Sequence, residues 1–219
     1  SVEINAPDSK PSRGRSHFTN RSELTKLPDM AVPAPSVTVR QLSAENDEAA
    51  KDIRNCHPIY AQSVLSTAAS FEITPPTPED FALRAKKITS LYPWFIAERE
   101  GQVLGYCYAG PFKERAAYRW SVEVSVYVAA EAQRQGVGRL LYSRLFETLR
   151  VRGFVNAFAG ITLPHPASVQ LHEAFGFKPC ALFKNAGHKM NRWWDVGWWQ
   201  LEIQPPSPHP KEPSYENPR

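Results

Sequence analysis

Residues 120–139, WSVEVSVYVAAEAQRQGVGR, carry the end of one periodicity and the start of another, with glycines between. Trp120, Val122, Val124, Val126 and Val128 alternate with Ser121, Glu123, Ser125 and Tyr127, the period-two pattern of a strand with one buried face. Leu141, Leu145 and Leu149 then recur at helical spacing, and Gly153 ends the helix. Gln133-x-x-Gly136-x-Gly138 occupies the turn between them. Glycines at a strand-to-helix turn let the backbone approach a ligand closely, and the N–H groups of the first helical turn then point at an anion with the helix dipole in support. The string is neither a Rossmann fingerprint nor a Walker loop. Taken alone, it is explained equally well by an ordinary turn.

Upstream, Ser43 is a candidate N-cap for a helix that runs to about Cys56, where Pro58 is expected to stop it. Thr77, Pro78 and Asp80 form a capping box that predicts a helix over Pro78–Thr89. Residues 94–110, WFIAEREGQVLGYCYAG, place two apolar runs around a glycine-containing turn and predict a β-hairpin. Downstream, FVNAFAGITL (154–163) predicts a strand and HPASVQLHEAFGF (165–177) a short helix from Pro166 to Gly176. Two last β runs are CALF (180–183) and VGWWQLEI (196–203). No internal repeat is visible. This order predicts an α/β (mixed α+β) fold with a single central, largely antiparallel sheet flanked by helices.

The 219 residues are 42% hydrophobic and 22% charged, which excludes collagen, coiled coil and full disorder. No apolar run reaches the roughly 18 residues of a membrane span. Five prolines fall in residues 1–36 and six in 205–219, whereas all six tryptophans lie between. The expected organisation is therefore a disordered or added tail over 1–36, one domain over 37–204 and a proline-rich C-terminal tail over 205–219. The N-terminal stretch has no apolar core of a secretory signal, and its acidic residues argue against a transit peptide. Residues 37–204 hold 19 Lys and Arg against 16 Asp and Glu. That balance is too mild for a nucleic-acid partner but compatible with a small anionic one. Cys56, Cys107 and Cys180 are widely spaced and odd in number, so they read as buried, reduced thiols of a cytoplasmic protein rather than a disulfide frame or zinc site. No His–Glu or His–Cys spacing suggests a metal.

A strand, then Q-x-x-G-x-G, an amphipathic helix, a strand and a short helix ending in Gly-Phe together resemble the GNAT superfamily of acyl-CoA N-acyltransferases. The strings YPWFIAEREGQVLGYCYAGPFKERAAYRWSVEVSVYV, LHEAFGF and GHKMNRWWDVGWWQ are similar to its phosphinothricin / methionine sulfone (sulfoximine) N-acetyltransferase branch. The likeness covers about residues 37–204. It implies acetyl transfer from acetyl-CoA to the α-amine of a small amino-acid analogue by direct attack in a ternary complex, without a metal. It also implies a cytoplasmic homodimer with no membrane or nucleic-acid partner. Alternatives are an acetyltransferase for another small amine or a protein amine, or a catalytically silent CoA-binding regulator.

Carried over residue by residue, the likeness implies that Val126, Tyr127 and Val128 line the pantetheine arm. Arg134, Gln135, Gly136, Val137, Gly138 and Arg139 would cradle the pyrophosphate, with His165 (where the family usually has Asn) and Ser168 beside the cofactor. Glu123 is implied as general base, since an ammonium must lose a proton before it attacks a thioester. On the residues alone, Glu123 reads more readily as part of a solvated strand face. His172 stands where many relatives have a Tyr proton donor, and its imidazole titrates near neutrality. It equally suits a packing role. Lys113, Glu114, Arg115, Tyr118 and Phe71, with Glu123, Val124 and Ser125, are the implied substrate contacts, Arg115 being able to grip an oxyanion bidentately. The tryptophan-rich stretch 193–199 suggests core or subunit interface.

Overall fold

The computed structural model describes residues 36–42 and 47–215. The expected tail over 1–36 and the Ser43 cap lie almost wholly outside those residues. The elements follow the order β1 (Thr38–Gln41), α1 (Asp47–Ser66), α2 (Pro78–Thr89), β2 (Trp94–Arg99), β3 (Gln102–Pro111), β4 (Ser121–Val128), α3 (Val137–Val151), β5 (Asn156–Leu163), α4 (Pro166–Ala174), β6 (Lys178–Lys189) and β7 (Arg192–Glu202). Short 3₁₀ turns lie at Ala116–Tyr118 and Ala130–Ala132. One seven-stranded sheet has the order β1-β2-β3-β4-β5-β7-β6. Every neighbouring pair is antiparallel except β4 and β5, which are parallel. The mixed, largely antiparallel fold expected from the sequence is the fold observed.

Strand alternation sends side chains to two different cores. Phe95, Ala97, Cys107, Ala109, Val122 and Val124 pack with Leu141, Tyr142, Leu145 and Leu149 of α3. Trp94, Ile96 and Tyr106 face the other way, against Ile53, Cys56, Phe81 and Ala85 of α1 and α2. Glu123, Ser125 and Tyr127 therefore share the α1/α2 face of β4, and Tyr127 packs on Tyr60 and Tyr106 there, with ring centroids 5.1 and 5.4 Å apart. The capping box forms as expected: Thr77 Oγ1 accepts from the Asp80 N–H at 3.1 Å and donates to Asp80 Oδ2 at 2.9 Å.

Three expectations are corrected. Pro58 does not end the first helix but lies inside α1, which continues to Ser66. An interior proline costs about 3 kcal/mol. The turns beyond it offset that cost by seating Ile59 and Tyr60 against the core and burying Val64, which is 1% exposed. Cys56 and Cys107 are buried, but Cys180 is exposed, because it sits on β6 at the edge of the sheet. The two last β runs are longer than expected, forming one hairpin turned at Met190 and Asn191, both at positive φ. β1 escapes sequence reading because four residues are too few to show alternation. It is held by Arg40, which donates to both carboxylate oxygens of buried Asp52 at 2.6 and 2.7 Å and to Glu98 at 3.0 Å.

The proline-rich segment after β7 returns to the domain. Trp120 Nε1 donates to Lys211 O at 2.8 Å, Ser214 N to Arg152 O at 2.8 Å, and Tyr215 packs on Tyr92 and Phe154. No helix among the described residues is long and apolar enough to cross a membrane.

Candidate active site

The parallel β4–β5 ladder is short: Ser121, Val122 and Glu123 pair with Asn156, Ala157 and Phe158, and there it ends. β4 continues to Val128 along β3, and β5 continues to Leu163 along β7. The two strands thus diverge from Glu123 onward. The edge of Val124–Val128 that turns away from β3 faces the opening, where an extended ligand can pair with backbone groups as an added strand would. The Val124 side chain is buried in the α3-side core, so only its backbone is available to a ligand in this wedge.

The wide end of the wedge meets the start of α3. Arg134 and Gly136 both have positive φ (60° and 81°), and Gly136 is the left-handed N-cap, with no side chain satisfying the helix start. The first intrahelical bond runs from Leu140 N to Gly136 O at 3.0 Å. The N–H groups of Val137, Gly138 and Arg139 precede it, leaving them to face outward. α1 and α2 carry acidic residues in their first turns; α3 carries none. A Cβ on Gly138 would come within 3.1 Å of Leu171 Cδ2, so the helix start lies close against α4 and a side chain there would require Leu171 to give way. Gln135 braces the loop, accepting from Arg99 at 3.2 Å and donating to Glu131 O at 2.7 Å. Arg134 and Arg139 are exposed beside it. This is an anion cradle of backbone amides flanked by two guanidinium groups.

Glu123 lies half-buried at the vertex of the wedge. Burial pushes its carboxyl above the ordinary value, and Lys113 partly offsets that rise. Its partner across the ladder, Phe158, stacks on Phe112 with centroids 4.0 Å apart. Lys113 Nζ lies over Phe112 and Trp198 at 4.9 and 5.9 Å, and Tyr118 meets Phe112 edge-on at 5.8 Å. Lys113 is close enough to Glu123 for its charge to act on the carboxyl, and Tyr118 joins the same neighbourhood through Phe112 and Phe158. Sequence reading does not find Phe112 and Phe158, which belong to different segments, and it assigns Trp198 to core or subunit interface. Glu114 and Arg115 lie exposed on the same turn.

Ser125 faces Tyr108 across the β3–β4 pair. Tyr108 also lines a cavity of about 60 Å³ with Tyr60, Phe81, Arg84, Trp94 and Tyr106. Tyr60 donates to Glu72 Oε2 at 3.0 Å, and Arg84 pairs with Glu72, fixing the loop between α1 and α2. Phe71 on that loop lies over Gly187 of β6, so close that any side chain there would clash. Lys189 Nζ ties the last turn of α1 to the same loop by donating to Val64 O and Ser70 O, both at 2.7 Å.

His165 and His172 are both engaged within the protein. His165 caps α4, its Nδ1 accepting from Ser168 N at 3.3 Å. Its other nitrogen then carries the proton in the neutral ring. His172 is 4% exposed. Its Nδ1 donates to the Ser168 carbonyl at 2.8 Å, so its Nε2 accepts from the buried Tyr142 hydroxyl at 3.0 Å. Desolvation lowers its pKa. A histidine whose folded pKa is depressed contributes its full stability above the unfolded value of about 6.5. That contribution is lost as the pH falls from there towards the folded pKa. Thermal unfolding at pH 7.5 and 5.5 should therefore show a drop in Tm that shrinks in His172→Gln. An equal drop in both proteins would remove His172 as its source. Among the described residues no group of His, Cys, Asp and Glu is arranged to hold a metal.

Residues 48–198 match the acetyltransferase (GNAT) domain family. The chain belongs to the GNAT family. Its GNAT domain is 40% identical over 172 residues to a phosphinothricin N-acetyltransferase of Streptomyces viridochromogenes, covering 78% of this chain and 91% of that relative. It is 36% identical over 146 residues to an L-methionine sulfoximine/L-methionine sulfone acetyltransferase of Salmonella typhimurium, covering 66% and 85%. Its fold superposes with TM-score 0.72 on a GNAT superfamily phosphinothricin acetyltransferase from Sinorhizobium meliloti crystallised with AcCoA, at 37% identity over 80% and 95% of the two chains. The expected superfamily and branch are both borne out.

Proposed function

We propose that this GNAT acetyltransferase transfers acetyl from acetyl-CoA to the α-amine of a small amino-acid analogue of the phosphinothricin, methionine sulfoximine or methionine sulfone type. The observation that carries this reading is the wedge between β4 and β5. It joins an open strand edge and an amide cradle at one end to a half-buried carboxylate at the other. Those features fit acetyl-CoA: Val126, Tyr127 and Val128 for its extended arm, Arg134 to Arg139 for its pyrophosphate. His165 Nε2 and Ser168 lie at the start of α4 to complete the contact. Acetyl-CoA supplies the activated thioester.

Glu123 acts as general base, taking the ammonium proton of the substrate so that the free amine can attack. Its desolvated carboxylate is a stronger base than an exposed one, which suits an acceptor whose pKa lies well above that of an ordinary carboxylate. Lys113 and Arg115 bind the carboxylate or the phosphinate or sulfone oxygens, and Tyr118 and Phe71 wall the site. Glu114, Ser125 and the backbone of Val124 complete it. His172 serves by holding α4 and the cofactor-side contacts, with the hydroxyls of Tyr142 and Ser168 as its exchangeable partners.

The reading extends to a cytoplasmic homodimer. Three unpaired thiols support the reducing compartment. Leu182, Phe183 and Trp193, each more than half exposed on the edge hairpin β6–β7, support association there. A panel of amines assayed for acetyl-CoA-dependent thiol release tests the substrate class. Saturable release with phosphinothricin, methionine sulfoximine or methionine sulfone is expected. Release only with polyamines or a peptide would overturn the substrate, and no release with tight CoA binding would favour a silent regulator.

A further inference from the structure

The carboxyl-terminal residues 211–215 close a ring around the start of β4. Trp120, one residue before β4, accepts at its carbonyl from Val155 N and Asn156 N at 2.8 and 3.2 Å, which starts the β4–β5 ladder. Its indole donates to Lys211 O at 2.8 Å. Arg119 pairs with Glu212 and turns its Nε back to Ala116 O at 2.8 Å, gripping the 3₁₀ turn that carries Tyr118. Pro213 is buried and lies 3.8 Å from where a Cβ on Gly153 would stand. Ser214 N donates to Arg152 O at 2.8 Å. Tyr215 then anchors the segment edge-on to Tyr92 and Phe154, at 5.7 and 6.0 Å.

Composition alone gives this segment no reason to be ordered. Its order comes from two hydrogen bonds to backbone carbonyls, one ion pair and an aromatic anchor, directed at the α3–β5 connection, at residues 119–120 and, through Tyr215, at Tyr92. Those two residues stand between the turn bearing Lys113 and Tyr118 and the carboxylate of Glu123. The ammonium and oxyanion ends of an amino-acid analogue have to be met by groups on both sides of this junction at once. The spacing between the two sets is fixed only if the junction is fixed.

We propose that residues 211–215 are a strap that sets the substrate turn relative to Glu123, with Arg119 and Trp120 as positioning residues for the amine substrate and not for acetyl-CoA. The cofactor-side elements, the start of α3 and α4, make none of these contacts. The proposal rests on the substrate reading above only for its kinetic test, so a second readout is independent of activity.

Three proteins are compared with the full chain: one ending at Pro210, Trp120→Phe, which deletes the indole donor but keeps an aromatic ring, and Tyr215→Ala. With the panel amine that the full chain acetylates best, the shortened protein should show a KM for the amine raised about tenfold and an unchanged KM for acetyl-CoA. Trp120→Phe should show about a threefold rise, as expected for one hydrogen bond. Trypsin should cut the shortened protein and Tyr215→Ala after Lys113, Arg115 or Arg119 about ten times faster than the full chain, with cutting after Arg134 and Arg139 unchanged. An unchanged amine KM with unchanged cutting would overturn the strap. Equal rises in both KM values, or faster cutting at all five sites, would show general loosening and overturn it as well. If the full chain acetylates no amine, the substrate reading fails and the cutting pattern alone decides the strap.

Discussion

Glu123→Gln should lower kcat by about 10² to 10⁴-fold, the range lost with a general base, while the KM for acetyl-CoA stays within about twofold. Gln keeps the volume and a hydrogen-bonding oxygen, so the half-buried position at the wedge vertex is still filled. What it loses is the capacity to take a proton from the substrate ammonium. The pH dependence supplies the sign. Burial raises the Glu123 pKa and Lys113 lowers it. The base form thus appears at a higher pH than for an exposed glutamate, and kcat/KM should rise through that pKa on the acid side. Lys113→Met removes the opposing positive charge, so its acid limb should move to still higher pH. An acid limb that stays put, or a Glu123→Gln enzyme with wild-type turnover, would remove Glu123 from proton transfer.

Gly136→Glu should weaken acetyl-CoA binding by at least about a hundredfold. Two separate causes act. A non-glycine residue at φ 81° is strained, worth about 1–2 kcal/mol. The added carboxylate also stands among the outward amides of Val137 to Arg139, where it satisfies the helix dipole in place of the pyrophosphate. No protein atom lies within 4 Å of the Cβ position, so the side chain meets the ligand's space and not the core. Gly136→Ala separates the causes. It carries the strain without the charge, and should lower Tm by a few degrees and affinity by less than about tenfold. Calorimetric titration of CoA against both variants measures this. Equal losses in the two would assign the effect to backbone strain alone, and undiminished affinity in Gly136→Glu would place the pyrophosphate elsewhere.

Much of the fold was legible because several segments have their own strong local signals. The alternation in 120–128, the Thr77 capping box and the leucine spacing after Gly138 each rest on interactions within a few residues. The first helix was misjudged for the complementary reason: the penalty of Pro58 is local and visible, whereas the burial of Val64 that offsets it depends on strands far away in the chain. The same holds for β1, which has four residues and relies on Arg40 reaching Asp52 and Glu98. At the candidate site, Lys113 and Glu123 were singled out from the sequence, but the stacked pair Phe112–Phe158 that joins their surroundings was not. Phe112 and Phe158 meet only because β3, β4 and β5 lie side by side.

The sequence by itself determined the secondary elements around residues 77–176, the glycine turn that opens an amide cradle, and a polar strand face bearing Glu123. Those follow from backbone sterics, capping and periodicity, which act over one or two turns. Only the tertiary structure decided that β4 and β5 part company just beyond Glu123, that the Nε2 of His172 is taken by Tyr142, and that a proline-rich segment returns to brace Trp120. Each of these depends on groups brought together across 30 to more than 90 residues. Such contacts repay the entropy of chain closure only once the surrounding sheet has formed, and so leave no periodic trace in the sequence.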